Sequence, residues 1–326
     1  MTTNDGGQAA SGAGVRVGTA LRRYLGVGAA LVVLIVVLSL MQDNFLRYSN
    51  IMNILRTNAV LFVVAVGLTF VIVSQGLDLS VGSMVALGGV FLASMLEAGV
   101  PAWPAILLTV LACTFLGALI NGGLIAYGGL NFFVVTLGML QLLRGAALVL
   151  SNGVTKSTIA HEPVQWLGDG FVAGFPMPVL IAIVVGIVGY VVMRWTRFGR
   201  SVYAVGGNEV AARLSGVNVK AVRFSVYAIA AFTAGIAAVM LTGRLTSSQP
   251  VSGALGLELS AAAAVLLGGA SFAGGSGTIA GTAIGVLFLG ILANGITLAG
   301  VPSYWQGIAT GVVLVAAIAL DRFRSR

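Results

Sequence analysis

Gly76-Leu77-Asp78-Leu79-Ser80 and Gly256-Leu257-Glu258-Leu259-Ser260 are one short stretch written twice. The same offset lays Val85 on Val265, Leu87-Gly88-Gly89 on Leu267-Gly268-Gly269 and Ala93 on Ala273. A second pair, Leu116-Gly117-x-Leu119-x-Asn121-Gly122 and Leu289-Gly290-x-Leu292-x-Asn294-Gly295, recurs at a shorter offset that also carries Ala126 onto Ala299 and Gly138 onto Gly311. The chain is internally duplicated, and the residues missing from the second copy fall opposite the connection 98–104, since turns accept deletions that packed helices do not.

Composition names the solvent. Of 326 residues 58% are hydrophobic and 8% charged, with a mean hydropathy of +1.05, so most of the chain belongs in lipid. A net charge of +8 raises nucleic acid as a partner, but the basic residues lie between apolar runs rather than in a patch interleaved with aromatics, which excludes it. The lone cysteine, Cys113, sits inside an apolar run, and His161 is the lone histidine. A disulfide framework, a His- or Cys-ligated metal and a Ser-His-Asp triad therefore have nothing to draw on. No cofactor, metal or catalytic residue is expected.

The resulting expectation is an all-α polytopic membrane protein with about ten spans. Residues 1–23 read as a disordered tail. Arg22 and Arg23 precede the run 24–41, which ends in Gln42-Asp43-Asn44 without a cleavage site and so reads as a retained first span. Residues 45–57, with Arg47, Asn50, Asn53 and Arg56, suit an interfacial helix. Further runs follow at 58–75, 81–96, 104–127, 132–150, 177–193, 222–241, 259–272, 278–298 and 304–320, of which 259–272 is short for a bilayer. Together 24–321 form one transmembrane domain with halves at 58–150 and 222–320, followed by a basic end at 322–326.

Twelve of the 17 Lys and Arg fall in the tail, in 194–223 and in 322–326, which an even span count puts on one face. The positive-inside rule makes that face cytoplasmic and leaves 151–175, with His161, Glu162, Trp166 and Asp169, outside. Arg47, Arg56 and Lys156 run weakly against the rule.

In this count the two copies of the Gly-Leu-acid-Leu-Ser stretch lie five spans apart, and an odd separation inverts the repeat. Inverted repeats with glycine-broken helices characterise alternating-access transporters, whereas channels favour symmetric subunits around a filter. Asp78 and Glu258 are ionisable groups beside apolar spans, where function is the usual reason for the cost. Each also reads as an electrostatic helix cap, alongside Ser80 and Ser260, and both readings hold together. Candidates for a hydrated path are Gly76, Asp78, Ser80, Asn121, Thr136, Arg144, Glu258, Ser260 and Asn294, with Asn58, Thr69, Gln75 and Gln141 as further polar groups. Hydrogen bonding between helices is the competing reading, most of all for Asn121 and Asn294, and Arg144 has the reach to snorkel.

Within 194–223, Asn208 is a good N-cap, Glu209 suits a first turn, Val210-Ala211-Ala212-Arg213-Leu214-Ser215 forms a compact helix and Gly216 stops it. Glu209 and Arg213, four apart, bridge on one face. Such a capped helix moves as a rigid body, although a plain surface connector would look the same.

Four motifs in order carry a resemblance: Gly76 through Ser83, Thr136-Leu137-Gly138 through Arg144-Gly145, Tyr203-Ala204-Val205-Gly206-Gly207-Asn208-Glu209 through Gly216, and Leu267-Gly268-Gly269 with Gly274-Gly275-x-Gly277. Over about 45–321 the chain resembles the ribose-type sugar permeases of bacterial ABC importers. The resemblance implies a type II importer fold in the cytoplasmic membrane. It also implies a second permease copy, cytoplasmic ABC ATPase subunits and an extracytoplasmic solute-binding protein. The helix Asn208 to Gly216 would dock into the ATPase, with small Ala211 and Ala212 permitting close approach and Leu214 as an apolar anchor. Leu77 stands where many relatives carry Ile, and Ser260 where the ribose-type pattern tends to Asp, which leaves the sugar open. The chain has no P-loop of its own: the lysines Lys156 and Lys220 follow Thr155 and Val219 rather than glycine. Branched-chain amino acid permeases share the implied fold, and a secondary transporter drawing on Asp78 and Glu258 is the alternative from another class.

Overall fold

Backbone groups in long apolar runs have no water to bond, so the runs close into helices. The computed structural model describes residues 27–250, 254–302 and 304–324, and the expected tail 1–23 and the last two residues lie outside these. The helices are α1 (Val27–Met41), α2 (Tyr48–Val73), α3 (Val81–Glu97), α4 (Ala102–Leu116), α5 (Gly123–Ala126), α6 (Phe132–Ser151) and α7 (Glu162–Asp169). They continue with α8 (Met177–Trp195), α9 (Arg197–Gly207), α10 (Glu209–Leu214), α11 (Val219–Leu245), α12 (Leu257–Leu267), α13 (Ile279–Leu298) and α14 (Tyr304–Arg324). A π-helical turn, Gly117–Gly122, joins α4 to α5 without interrupting the rod.

Six of these elements are long and apolar enough to cross a membrane: α2, the α4–α5 rod, α6, α8, α11 and α13. Helices α1, α3 and α12 are apolar but shorter. Two expectations are corrected. Residues 48–57 are not a separate interfacial helix but the first turns of α2, whose 26 residues span ~39 Å. The run 259–272 is helical only as far as Leu267, in a helix that begins two residues earlier at Leu257.

Helices α2 and α11, each leading into one copy of the duplicated stretch, form the centre. Their most apolar stretches are 72% and 61% buried, against 22% for α4–α5 and 28% for α6. Small residues make this close packing feasible: Ala230, Ala231, Ala234, Ala237 and Ala238 of α11 are all buried. The outer faces of α4, α6 and α8 expose Leu107, Leu111, Phe115, Val134, Leu142, Ile183 and Ile187, a lipid-facing belt no water-soluble surface would carry.

The two ends of α11, ~40 Å apart, define two poles. At the Arg244 end, strand β1 (Lys156–Ser157) pairs antiparallel with β4 (Ser247–Ser248). Lys156 also pairs with Glu97 at the end of α3. Arg56 meets Asp169 at 2.5 Å, and Arg244 donates to Thr57 Oγ1 at 3.0 Å. Strands β2 (Phe171–Val172) and β3 (Phe175–Pro176) form a small hairpin before α8. At the Arg223 end lie α9, α10, the end of α2 and the loop 268–278. Gly206 sits so close to this junction that a Cβ there would stand 1.8 Å from the Val73 carbonyl oxygen and 2.6 Å from the Gly275 nitrogen. Gly275 N donates to that same carbonyl at 2.8 Å, and the Tyr203 hydroxyl donates to Gly277 O at 2.7 Å.

Candidate functional site

The first copy of the duplicated stretch is a break. Helix α2 stops at Val73, residues 74–80 are irregular, and α3 starts at Val81. Asp78 is 2% exposed and carries the bonds that hold this backbone. Its Oδ1 accepts from Ser80 N at 2.8 Å and Ser80 Oγ at 2.6 Å, and its Oδ2 accepts from Asn121 Nδ2 at 3.2 Å. Asn121 Nδ2 also donates to Ser80 Oγ at 2.8 Å. Asp78 is thus a clasp two residues before the N-cap position, which Ser80 occupies, rather than the N-cap itself. The π-helical turn brings Asn121 to it, and wide turns of this kind are a usual way to aim one side chain off an α-helical ladder. Thr136 Oγ1 reaches Leu77 O at 3.5 Å, and Tyr227 OH donates to the same carbonyl at 3.4 Å, over Gly76.

The second copy differs. Gly256, at φ 77°, is the N-cap of α12, so Glu258 and Ser260 lie in its first turns and not in a break. The Glu258 carboxylate rests on the first turn of α3: a Cβ on Gly82 would stand 2.1 Å from its Oε2. Only a residue without a side chain lets the two helix starts meet. From this meeting point α3 runs to Glu97 at one pole and α12 to the loop 268–278 at the other. The N-termini of two helices therefore converge at the Glu258 side chain. Arg144 of α6 is half-buried, within electrostatic reach of Glu258.

Asn121 and Asn294 form their hydrogen bonds in different parts of the fold. Asn294 Nδ2 donates to Asn50 Oδ1 at 2.8 Å and its Oδ1 accepts from Asn50 Nδ2 at 3.1 Å, binding α13 to α2, while Asn121 holds the first break. Both act as bonds between elements. Ser260 and Gly256 line a cavity of about 470 Å³ together with Thr57, Asn58, Gln306 and Thr310. A second cavity of about 370 Å³, at the Arg223 pole, is lined by Ser74, Gln75, Gly76, Asn131, Arg223 and Tyr227. The first is walled mostly by leucine, alanine and glycine with these few hydroxyl and amide groups among them, and the second mixes its polar groups with the Arg223 guanidinium and the rings of Phe132 and Phe272. Among the described residues no three His, Cys, Asp or Glu side chains come together to hold a metal.

Helix α10 forms as its capping residues dictate. Asn208 Oδ1 accepts from Ala211 N at 2.9 Å, Gly216 closes the end at φ 83°, and Glu209 Oε1 bonds Arg213 Nη2 at 2.7 Å. One expectation is corrected: Ala212 is 4% exposed and packs inward, because α9 and α11 close over that side, so it cannot meet a partner. The outward face is Val210, 69% exposed, with Leu214, 84% exposed, and Ala211 beside them. Sequence reasoning missed Val210, although its spacing from Leu214 is the i, i+4 signal of one helix face. It also missed Tyr227, a lone hydroxyl aromatic in a span otherwise rich in alanine.

Comparison with known proteins places these features. Residues 50–318 match the family model described as branched-chain amino acid transport system / permease component. The ribose import permease of Escherichia coli (strain K12) is 43% identical over 298 residues, covering 90% of this chain and 91% of that protein. That of Bacillus subtilis (strain 168) is 40% identical, covering 92% and 93%. The D-allose transport system permease of Escherichia coli (strain K12) is 37% identical, covering 88% of each. No solved structure matches significantly.

Proposed function

This chain belongs to the permease-component family of branched-chain amino acid transport systems, and from that membership we propose that it is the membrane subunit of an ATP-driven importer for a small sugar. Its strong likeness to ribose and allose permeases along nearly the whole length favours a pentose or hexose over an amino acid. The observation that carries the mechanism is α10: a helix with its own caps whose apolar pair, Val210 and Leu214, points away from the body. An apolar pair left bare on so short a helix suits a protein partner, here a cytoplasmic ABC ATPase subunit. Hydrolysis belongs to that subunit, since this chain lacks a P-loop.

The ten-span count gains support from α1, α3, α12 and α14, which add to the six long helices. Inversion of the repeat gains support from α3 and α12, which start side by side and diverge to opposite poles. On this reading both termini and 194–223 are cytoplasmic, 151–175 is outside, and 24–321 is one domain in a bacterial inner membrane. A binding protein delivers sugar to the Arg244 pole, and a second permease copy completes the path. The hydroxyl and amide groups of the two cavities exchange hydrogen bonds with sugar hydroxyls on the way. Closure of the ATPases moves α10, and the two halves repack around the Gly82–Glu258 contact.

The test is reconstitution of the permease with its ATPase and binding protein in liposomes. Uptake of ribose or a related sugar should require ATP, survive ionophores and resist competition by leucine. Uptake by the permease alone down a proton or sodium gradient refutes the proposal, and leucine import in place of sugar corrects the substrate.

A further inference from the structure

Glu209 holds more than its own helix. Its Oε1 serves Arg213, but its Oε2 accepts from Arg223 Nη2 at 2.6 Å, and Arg223 belongs to α11. Arg213 is mostly exposed, whereas Arg223 is partly enclosed and lines the 370 Å³ cavity beside Ser74, Gln75 and Gly76 of the first break. One turn further along α11, Tyr227 bonds Leu77 O, and Leu77 adjoins Asp78 with its clasp to Ser80 and Asn121. The path from α10 to the break is thus one ion pair, one turn of a rigid helix and one hydrogen bond.

We infer that the Glu209–Arg223 pair is a strut: it fixes α10 to α11 so that displacement of α10 reaches the break at 74–80, and both are positioning residues for transport. The inference rests on the importer reading for its purpose, but the strut itself is a property of this chain. A partly exposed ion pair adds little to static stability. Its worth lies in geometry, because a fork held at both carboxylate oxygens resists rotation of α10 about its own axis. By sequence Arg223 is only the last cation of the basic segment 194–223, and the structure gives it Glu209 as a partner.

The test is a double-mutant cycle with Glu209→Gln, Arg223→Gln and the pair combined, in the full-length permease. Two measurements apply. In the isolated permease, hydrogen exchange at the amides of 76–80 should rise at least fivefold in each single variant and no further in the double. In the assembled transporter, sugar moved per ATP should fall at least fivefold in each single variant with the ATPase still bound. The double should match the worse single within twofold, and Arg223→Lys should recover most of the loss. Effects that multiply in the double, exchange unchanged within twofold, or loss of ATPase binding in Glu209→Gln each overturn the strut. A wild-type complex without sugar-driven hydrolysis counts against the importer reading, and the exchange result then still decides the strut.

Discussion

Replacing Asn121 by Leu removes one amide nitrogen that serves two acceptors, Asp78 Oδ2 at 3.2 Å and Ser80 Oγ at 2.8 Å. The site is buried, so no water substitutes for it. Losing the donor leaves two buried acceptors short of a bond at about 1–2 kcal/mol each, about 3 kcal/mol in all. Asp78→Asn should cost less, about 1–2 kcal/mol. The amide introduced by that substitution takes Asn121 Oδ1 as its acceptor once the Asn121 amide flips, and the flip leaves the Asn121 nitrogen in the position where the oxygen had no partner. Ser80 N keeps its acceptor throughout. Thermal unfolding in detergent should therefore rank Asn121→Leu well below Asp78→Asn, by several degrees. The exchanged pair Asp78→Asn with Asn121→Asp should recover most of the loss. Sugar uptake by Asp78→Asn should stay within about twofold of wild type, since the carboxylate works as a clasp. If Asp78→Asn destabilises by about 3 kcal/mol or more while Asn121→Leu is neutral, the clasp is wrong. If Asp78→Asn stays stable but abolishes uptake, the charge acts on the path instead.

Gly206→Ala drives a methyl into the backbone of Val73 and Gly275, and overpacking of this kind should cost about 2 kcal/mol or more in thermal unfolding. Val210→Glu with Leu214→Glu should reduce co-purified ATPase subunit at least tenfold while changing permease stability by no more than about 0.5 kcal/mol, as at other exposed positions. Equal recovery of the ATPase would reduce α10 to a connector. Single cysteines at Ser157 and Ser215, both exposed, should label from opposite faces of the membrane in a Cys113→Ala background. Labelling from one face would end both the topology and the inverted repeat.

Much of this architecture is legible in the residues, for reasons that differ by element. The helices and their apolar faces follow from hydropathy, and α10 from capping chemistry that acts within a few residues, so Asn208, Glu209 and Gly216 do what local rules require. What escapes is long-range. No spacing in the chain says that Asn294 bonds Asn50, that Glu258 rests on Gly82, or that Arg223 answers Glu209. Ala212 shows the same limit in reverse: a small residue permits close approach, but only tertiary packing decides which neighbour approaches. Similarity alone makes the two copies of the duplicated stretch look equal, because it carries no information about which copy the surroundings let run on as helix.

The wide turn Gly117–Gly122 has a historical consequence. Asn121 and Asn294 stay aligned, as do Ala126 and Ala299, so no residue was gained or lost between the copies there. Yet a π-helical turn uses one residue more than an α-helical one to make the same circuit, and α13 has no such turn. The side chains from there to the end of α5 are turned by ~100° from their twins in α13. The duplicates have ceased to be interchangeable: grafting 117–126 onto the second copy would carry the right letters to the wrong faces, and neither copy can now stand in for its sibling.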